Sequence, residues 1–241
     1  MTLDEIREGA VVLFNKPFDW SSFDVVKKVK RLTQAKVGHA GTLDPYATGL
    51  LILCTGKFTK RISEFQDAEK EYTGTMILGA TTLSFDREKE IDCVYEFSHI
   101  TDQNILSAAS LFTGEIMQAP PAFSAVYVEG RRSYKKARQG EIFHIEKRKV
   151  LLHKFEITAI TLPEVSFRVV CGKGFYVRSL VNDFGKVLQS GAYLSALCRT
   201  RIGNYQLKDA WQVEDFQAYI QGQQSKGFAS MDKMGDSNVS Y

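Results

Sequence analysis

Cysteine is scarce in this chain of 241 residues: Cys54, Cys93, Cys171 and Cys198 lie far apart and form no C-x-x-C pair. That spacing excludes a disulfide framework and a thiolate zinc site, and two of the four sit in apolar runs, where Cys behaves as a small buried hydrophobe. Histidine is equally scarce, with four copies. His39 has no second His or Cys at ligand spacing, so no metal is expected, and no Ser-His-Asp or Cys-His arrangement can be argued from the four. Neither sign of charge dominates: 31 Lys and Arg stand against 28 Asp and Glu, a net +3 that points to no partner. No apolar run approaches the roughly 20 residues of a membrane-spanning helix. The opening MTLDEIREG lacks the basic and apolar segments of a secretory signal. A cytoplasmic protein with reduced thiols, not bound to membrane, is the expectation. The G-x-x-x-x-G-K-[ST] and G-x-G-x-x-G spacings are both missing, which excludes those nucleotide-binding loops. No repeat and no Pro-rich linker divides the chain.

What is present is a 44% hydrophobic content, enough for a substantial core, and an uneven spread of charge. Lys27, Lys28, Lys30, Arg31 and Lys36 fall within thirteen residues that hold no acid, and Arg131–Lys149 has eight basic residues against two acids. Basic surface on a near-neutral chain suits an anionic partner such as nucleic acid, although solvated helix faces account for the same residues. Periodicity predicts strands over Ala10–Phe14, Leu50–Cys54, Glu71–Leu78, Ala122–Val128, Leu151–Ala159, Val165–Cys171 and around Cys198–Tyr205. It predicts helices after a Ser21 or Ser22 cap (with Phe23, Val26 and Val29 on one face), around Phe58–Phe65, after a Thr101 cap, and around Leu180–Leu188. Strands outnumber helices and do not alternate with them, so the class is α+β with a mixed, mostly antiparallel sheet.

Three stretches have a composition suited to chemistry. In GHAGTLDPYATGLLILCTG, Asp44 is followed by a proline that bars helical geometry, in a loop where Gly38, Gly41 and Gly49 allow tight turns. A rigid carboxylate above a strand end is placed to be a nucleophile or base, but from the loop alone an Asp that merely organises its own turn is the favoured reading. In CGKGFYVRSL, Arg178 stands in the first turn of a helix, where a cation opposes the dipole unless it holds an anion. In MQAPPAFSAVYVEGRRSYKKARQG, aromatics alternate with Arg131, Arg132, Lys135 and their neighbours, a composition that stacks on bases and neutralises phosphates, or simply forms a hairpin and a solvated helix. Tyr72, on the strand opened by Lys70-Glu71, reads on its own as core.

The stretches NKPFDWSSFDVVKKVKR, KVGHAGTLDPYATGLLILCTGKFTK, KEYTGTMILGATTLSFD, QAPPAFSAVYVEGRRSYKKARQGE and CGKGFYVRSLVNDFGKVLQSGAYLSALCRTRIGNY occur in this order. Together they resemble the TruB family of pseudouridine synthases, the bacterial tRNA pseudouridine-55 synthases, from about Val11 to Ala210. The resemblance implies a pseudouridine-synthase-like sheet flanked by helices with an active-site cleft across it, in a catalytic domain over 1–210. Residues 211–241 would add a short helix and a flexible tail, without the small PUA barrel that many members carry. It implies isomerisation of uridine 55 in the tRNA T-loop after base flipping, by a monomer that needs no cofactor, metal or protein partner. Asp44 matches the family's nucleophile, Arg178 the residue that pairs with and orients it, and Tyr72 the ring that stacks on the base and assists proton removal. His39, Tyr176 and Leu197 match further substrate-binding positions, and Lys27, Lys36, Arg131, Arg132 and Lys135 are the expected phosphate contacts. Ala40 and Tyr46 depart from the family pattern, which commonly has Thr and Leu or Phe there.

Overall fold

The computed structural model describes residues 1–235. The chain forms two compact units, Met1–Gln66 with Asn204–Tyr241, and Asp67–Gly203. In chain order the first carries α1 (Leu3–Glu8), β1 (Val11–Lys16), α2 (Ser22–Thr33), β2 (Val37–Ala40), β3 (Ala47–Thr55), a 3-10 turn (Gly56–Arg61) and α3 (Ile62–Asp67). The second carries β4 (Lys70–Leu78), β5 (Ala80–Thr82), β6 (Ile91–Val94), α4 (Asp102–Ser110), β7 (Gly114–Gln118), β8 (Tyr127–Val128), β9 (Arg131–Arg132), α5 (Ser133–Arg138), β10 (Arg148–Thr161), β11 (Glu164–Cys171), α6 (Val177–Val187) and β12 (Ala192–Ile202). The chain then returns to the first unit with β13 (Tyr205–Gln206), a 3-10 turn (Leu207–Asp209) and α7 (Val213–Gly235).

In the first unit β3 lies between β1 and β2, antiparallel to both. Leu50, Leu51, Ile52, Leu53 and Cys54 are all fully buried, which is why the run reads as unbroken apolar rather than alternating. Val12, Phe14, Leu51 and Leu53 pack with Val25, Val26 and Val29 of α2 and with Val213, Phe216 and Ile220 of α7. The buried stripe of α2 is therefore Val25, Val26 and Val29, and Phe23, expected on it, is 58% exposed with the Lys27 ammonium over its ring. The helix after Trp211 is no appendage. Its stripe completes this core, each side chain contributing roughly 1.5–3 kcal/mol of apolar burial, and it runs on to Gly235 where a short helix was expected. Residues 236–241 of the expected tail lie outside the described residues.

In the second unit the strands run β12-β4-β11-β10-β7, every neighbouring pair antiparallel, as the α+β expectation requires. One face is apolar: Met76, Leu152, Val165, Phe167 and Val169 pack against Ile105 of α4 and Leu180, Val181 and Phe184 of α6. The other carries a polar ladder in which Arg168 donates to Glu71 at 2.6 Å and to Glu156 at 2.9 Å. Gly185 lets α6 close on the start of β12: a Cβ there would stand 2.3 Å from the Ala192 nitrogen. Only Tyr127–Val128 of the expected strand 122–128 is a strand: before it the carbonyls of Ser124, Ala125 and Val126 accept from Arg132, Ser133 and Tyr134, and that of Phe123 from Arg178 of α6. No helix among the described residues is long and apolar enough to cross a membrane.

Candidate active site

Asp44 sits in a turn, its carbonyl accepting from the Ala47 amide at 3.1 Å, just before β3 begins. Gly41 at φ +89° and Gly49 at φ +103° take left-handed conformations on either side, so the turn needs both glycines; Gly38 lies in β2, where a Cβ would strike the Ile62 side chain at 2.7 Å. The loop is tied at both shoulders. Before Asp44, the Ser22 hydroxyl accepts from the Leu43 amide at 2.8 Å and donates to the Leu43 carbonyl at 3.0 Å. After it, the Pro45 carbonyl accepts from the Asp19 amide at 3.0 Å and from the Lys16 ammonium at 3.2 Å. Lys16 is fully buried at the end of β1, and its ammonium also donates to the carbonyls of Pro17 and Trp20. Burial with several carbonyl acceptors makes it an anchor of the loop. His39 lies on β2 opposite Leu53 of β3. Of the two departures from the family pattern, Ala40 is fully buried at the end of β2, and the Tyr46 ring packs on Phe18 at 5.5 Å between centroids.

Arg178 lies one residue into α6 and is 4% exposed. Its guanidinium donates to the Ser84 carbonyl at 3.2 Å and the Phe123 carbonyl at 3.1 Å, and stands 3.5 Å from the buried Asp86 carboxylate. Asp86 and its neighbour Ser84 were missed as site residues although both fall in the TTLSFD stretch; only the fold brings them to α6. Gln118, also missed, holds the start of that helix. Its side-chain oxygen accepts from the Tyr176 amide at 2.7 Å and its amide donates to the Tyr176 carbonyl at 3.0 Å. The Ser179 hydroxyl donates to the Ala119 carbonyl at 2.7 Å, so the QAPPAF segment grips the first turn of α6.

Tyr72 on β4 pairs with Arg199 of β12, two residues along from Leu197, so Tyr72 and Leu197 share one face of the sheet. Both pack on the core that includes Val177 and Leu180. The second unit thus gathers Tyr72, Tyr176, Arg178 and Leu197 on β4, β12 and the start of α6. His39 and Asp44 stand on the first unit.

The expected phosphate contacts are spread more widely. Lys27 lies 3.7 Å from Asp24, and Lys36 is exposed between α2 and β2. Arg131 donates to Glu141 at 2.9 Å, Arg132 lies 4.0 Å from the Tyr127 ring centroid, and Lys135 is exposed. Such solvent-facing pairs are worth under about 1 kcal/mol, so these cations remain able to exchange partners. Lys136, in the same basic run, is instead buried and bonded to Glu129.

Comparison with known proteins places this geometry. The sequence profile of the TruB family pseudouridylate synthase N-terminal domain matches residues 28–177, and that of the tRNA pseudouridylate synthase B C-terminal domain matches 178–234. The tRNA pseudouridine synthase B of Flavobacterium johnsoniae is 52% identical over 229 residues, covering 92% of this chain and 100% of the relative. That of Phocaeicola vulgatus is 48% identical, covering 90% of this chain and 96% of the relative. Among solved structures, a chain of a Cbf5-Nop10-Gar1 complex superposes with a TM-score of 0.74 at 27% identity, over 94% of this chain and 59% of that one. This chain therefore spans about three-fifths of that solved chain and nearly the whole of the curated relatives. The chain belongs to the TruB family of pseudouridylate synthases.

Proposed function

We propose that this chain is a tRNA pseudouridine(55) synthase, which isomerises uridine 55 of the T-loop to pseudouridine. The observation that supports it best is the rigid Asp44 turn, tied at Leu43 and Pro45, in a chain that covers the full length of a relative named tRNA pseudouridine synthase B. The reaction breaks the N1–C1′ glycosidic bond, turns the uracil, and forms a C5–C1′ bond; C5 loses a proton and N1 gains one. No electron is gained or lost overall, so the balance calls for no redox cofactor. The target base leaves its stack to reach the reacting groups.

In this reading Asp44 is the nucleophile. Arg178 pairs with it, keeps it ionised and orients it, since an opposite charge favours the carboxylate form. Tyr72 stacks on the uracil and assists removal of the C5 proton. Tyr176 and Leu197 line the base pocket, His39 supports the opened RNA loop, and Lys27, Lys36, Arg131, Arg132 and Lys135 meet phosphates, with an effect that weakens as salt rises. The protein acts as a monomer on tRNA in the cytoplasm. The test is incubation of the purified protein with an unmodified tRNA transcript, followed by mapping of pseudouridine. Pseudouridine at position 55 alone is the expected result. Binding without any conversion would make the chain an RNA-binding module on the same scaffold.

A further inference from the structure

Two adjacent serines open α2, and the structure gives them different work. Ser21 is the helix cap: its hydroxyl accepts from the Asp24 amide at 3.2 Å, and the Asp24 carboxylate accepts in turn from the Ser21 amide at 3.0 Å. The cap is complete without Ser22. Ser22, 2% exposed, spends its donor and its acceptor on one residue 21 positions away, Leu43, which directly precedes Asp44. The Leu43 carbonyl and the Asp44 amide belong to one planar peptide group. Holding that carbonyl at 3.0 Å and the Leu43 amide at 2.8 Å fixes the two peptide groups that precede the Asp44 Cα. The direction of the Asp44 side chain follows from that plane, so a small rotation there swings the carboxylate away from a reacting carbon. Leu43 itself is buried, so water cannot replace the lost hydroxyl without opening the loop.

We infer that Ser22 is a positioning residue for the reaction: its hydroxyl sets the aim of the Asp44 carboxylate through the Leu43 backbone. The inference rests on the reading of Asp44 as nucleophile. A buried hydroxyl with a merely structural role would be satisfied by any pair of backbone groups and would move stability alone. One that aims the carboxylate moves turnover, because a displacement of about 1 Å costs on the order of a hundred-fold in rate.

The experiment compares Ser22→Ala, Ser22→Thr and Ser22→Val with the unaltered chain and with Asp44→Asn. Turnover is followed as tritium released from tRNA labelled at uridine C5. Thr and Val have nearly the same shape and differ by the hydroxyl, so that pair decides the question even if the alanine variant folds poorly. The expected result is a kcat at least about ten-fold lower for Ser22→Ala and Ser22→Val, a KM for tRNA within about two-fold, and a Ser22→Thr kcat within about three-fold of the unaltered chain. Equal rates for the Thr and Val variants would overturn the inference, as would a Ser22→Ala variant with unaltered kcat, or a loss confined to KM. If Asp44→Asn keeps turning over, the reading of Asp44 fails and the positioning role fails with it. If Asp44→Asn is inactive while every Ser22 variant runs normally, only the role of Ser22 is lost.

Discussion

Replacing Arg178 with Lys keeps the charge and removes the planar fork, which isolates geometry from electrostatics. The guanidinium donates from two different nitrogens to the carbonyls of Ser84 and Phe123, 3.2 and 3.1 Å away, and faces Asp86 at 3.5 Å. An ammonium is a single point and cannot stand where both terminal nitrogens stood. With the site nearly closed to solvent, at least one carbonyl is left without its donor. Hydrogen bonds to a charged group contribute about 1.5–3 kcal/mol each, and an abandoned buried acceptor costs about 1–3 kcal/mol. A total near 3 kcal/mol is expected, which for a chain of this length lowers Tm by roughly 6–12 °C. Turnover should fall further than stability accounts for, because in the proposed reaction the same fork orients Asp44. Circular dichroism melts give the first number, and tritium release measured well below the melting transition of the variant gives the second. An R178K protein that melts within about 1 °C of the unaltered chain would refute the hydrogen-bond argument. One that also turns over normally would remove Arg178 from the mechanism.

The remaining predictions concern other parts of the molecule. Asp44→Asn should abolish pseudouridine formation and still bind tRNA in a gel-shift assay; near-normal turnover would end the nucleophile assignment. Lys16→Met leaves the carbonyls of Pro17, Trp20 and Pro45 without their shared donor, and should lower stability by about 3 kcal/mol, read as a shift in the urea midpoint at constant slope. On the polar ladder, burial pushes the Glu71 carboxyl up, but bonds from Arg168 and Thr200 bring it below the ordinary value, and Lys154 and Arg168 hold Glu156 low. Depressed carboxyls stabilise the fold above their unfolded value, about 4.3, and that stability is lost as pH falls through the folded value. Acid titration should therefore destabilise the protein below about pH 4.3, and Arg168→Met should make that acid loss shallower. Burial pushes the Cys54 thiol up to about 11 and the Cys171 thiol up to about 12, while Cys93 is exposed. Iodoacetamide at pH 8 should label Cys93 first and leave Cys54 and Cys171 unmodified until the chain unfolds, as peptide mass mapping would show.

Local signals were legible one letter at a time. The Ser21 and Thr101 caps, the unbroken apolar run of β3, the alternation in β10 and β11 and the proline after Asp44 each act within a few residues, so the sequence by itself determined the α+β class and most of the elements. It also determined the family, because five ordered stretches leave little room for coincidence. The errors lie where an element answers to a distant neighbour. Phe23 was placed on the buried face of α2, yet β1 and α7 select Val25, Val26 and Val29. Residues 122–126 are apolar enough for a strand, but the Phe123 carbonyl goes to Arg178 and those of Ser124, Ala125 and Val126 to Arg132, Ser133 and Tyr134.

Only the tertiary structure decided which polar groups meet. Ser22 finds Leu43 across 21 residues, Gln118 finds Tyr176 across 58, and Arg178 finds Ser84 across 94. A hydroxyl, an amide or a guanidinium has the same propensity whatever partner it finally holds, so nothing near it in the chain names that partner. Packing brings the two together, and the cost of burying either one alone makes the pairing obligatory.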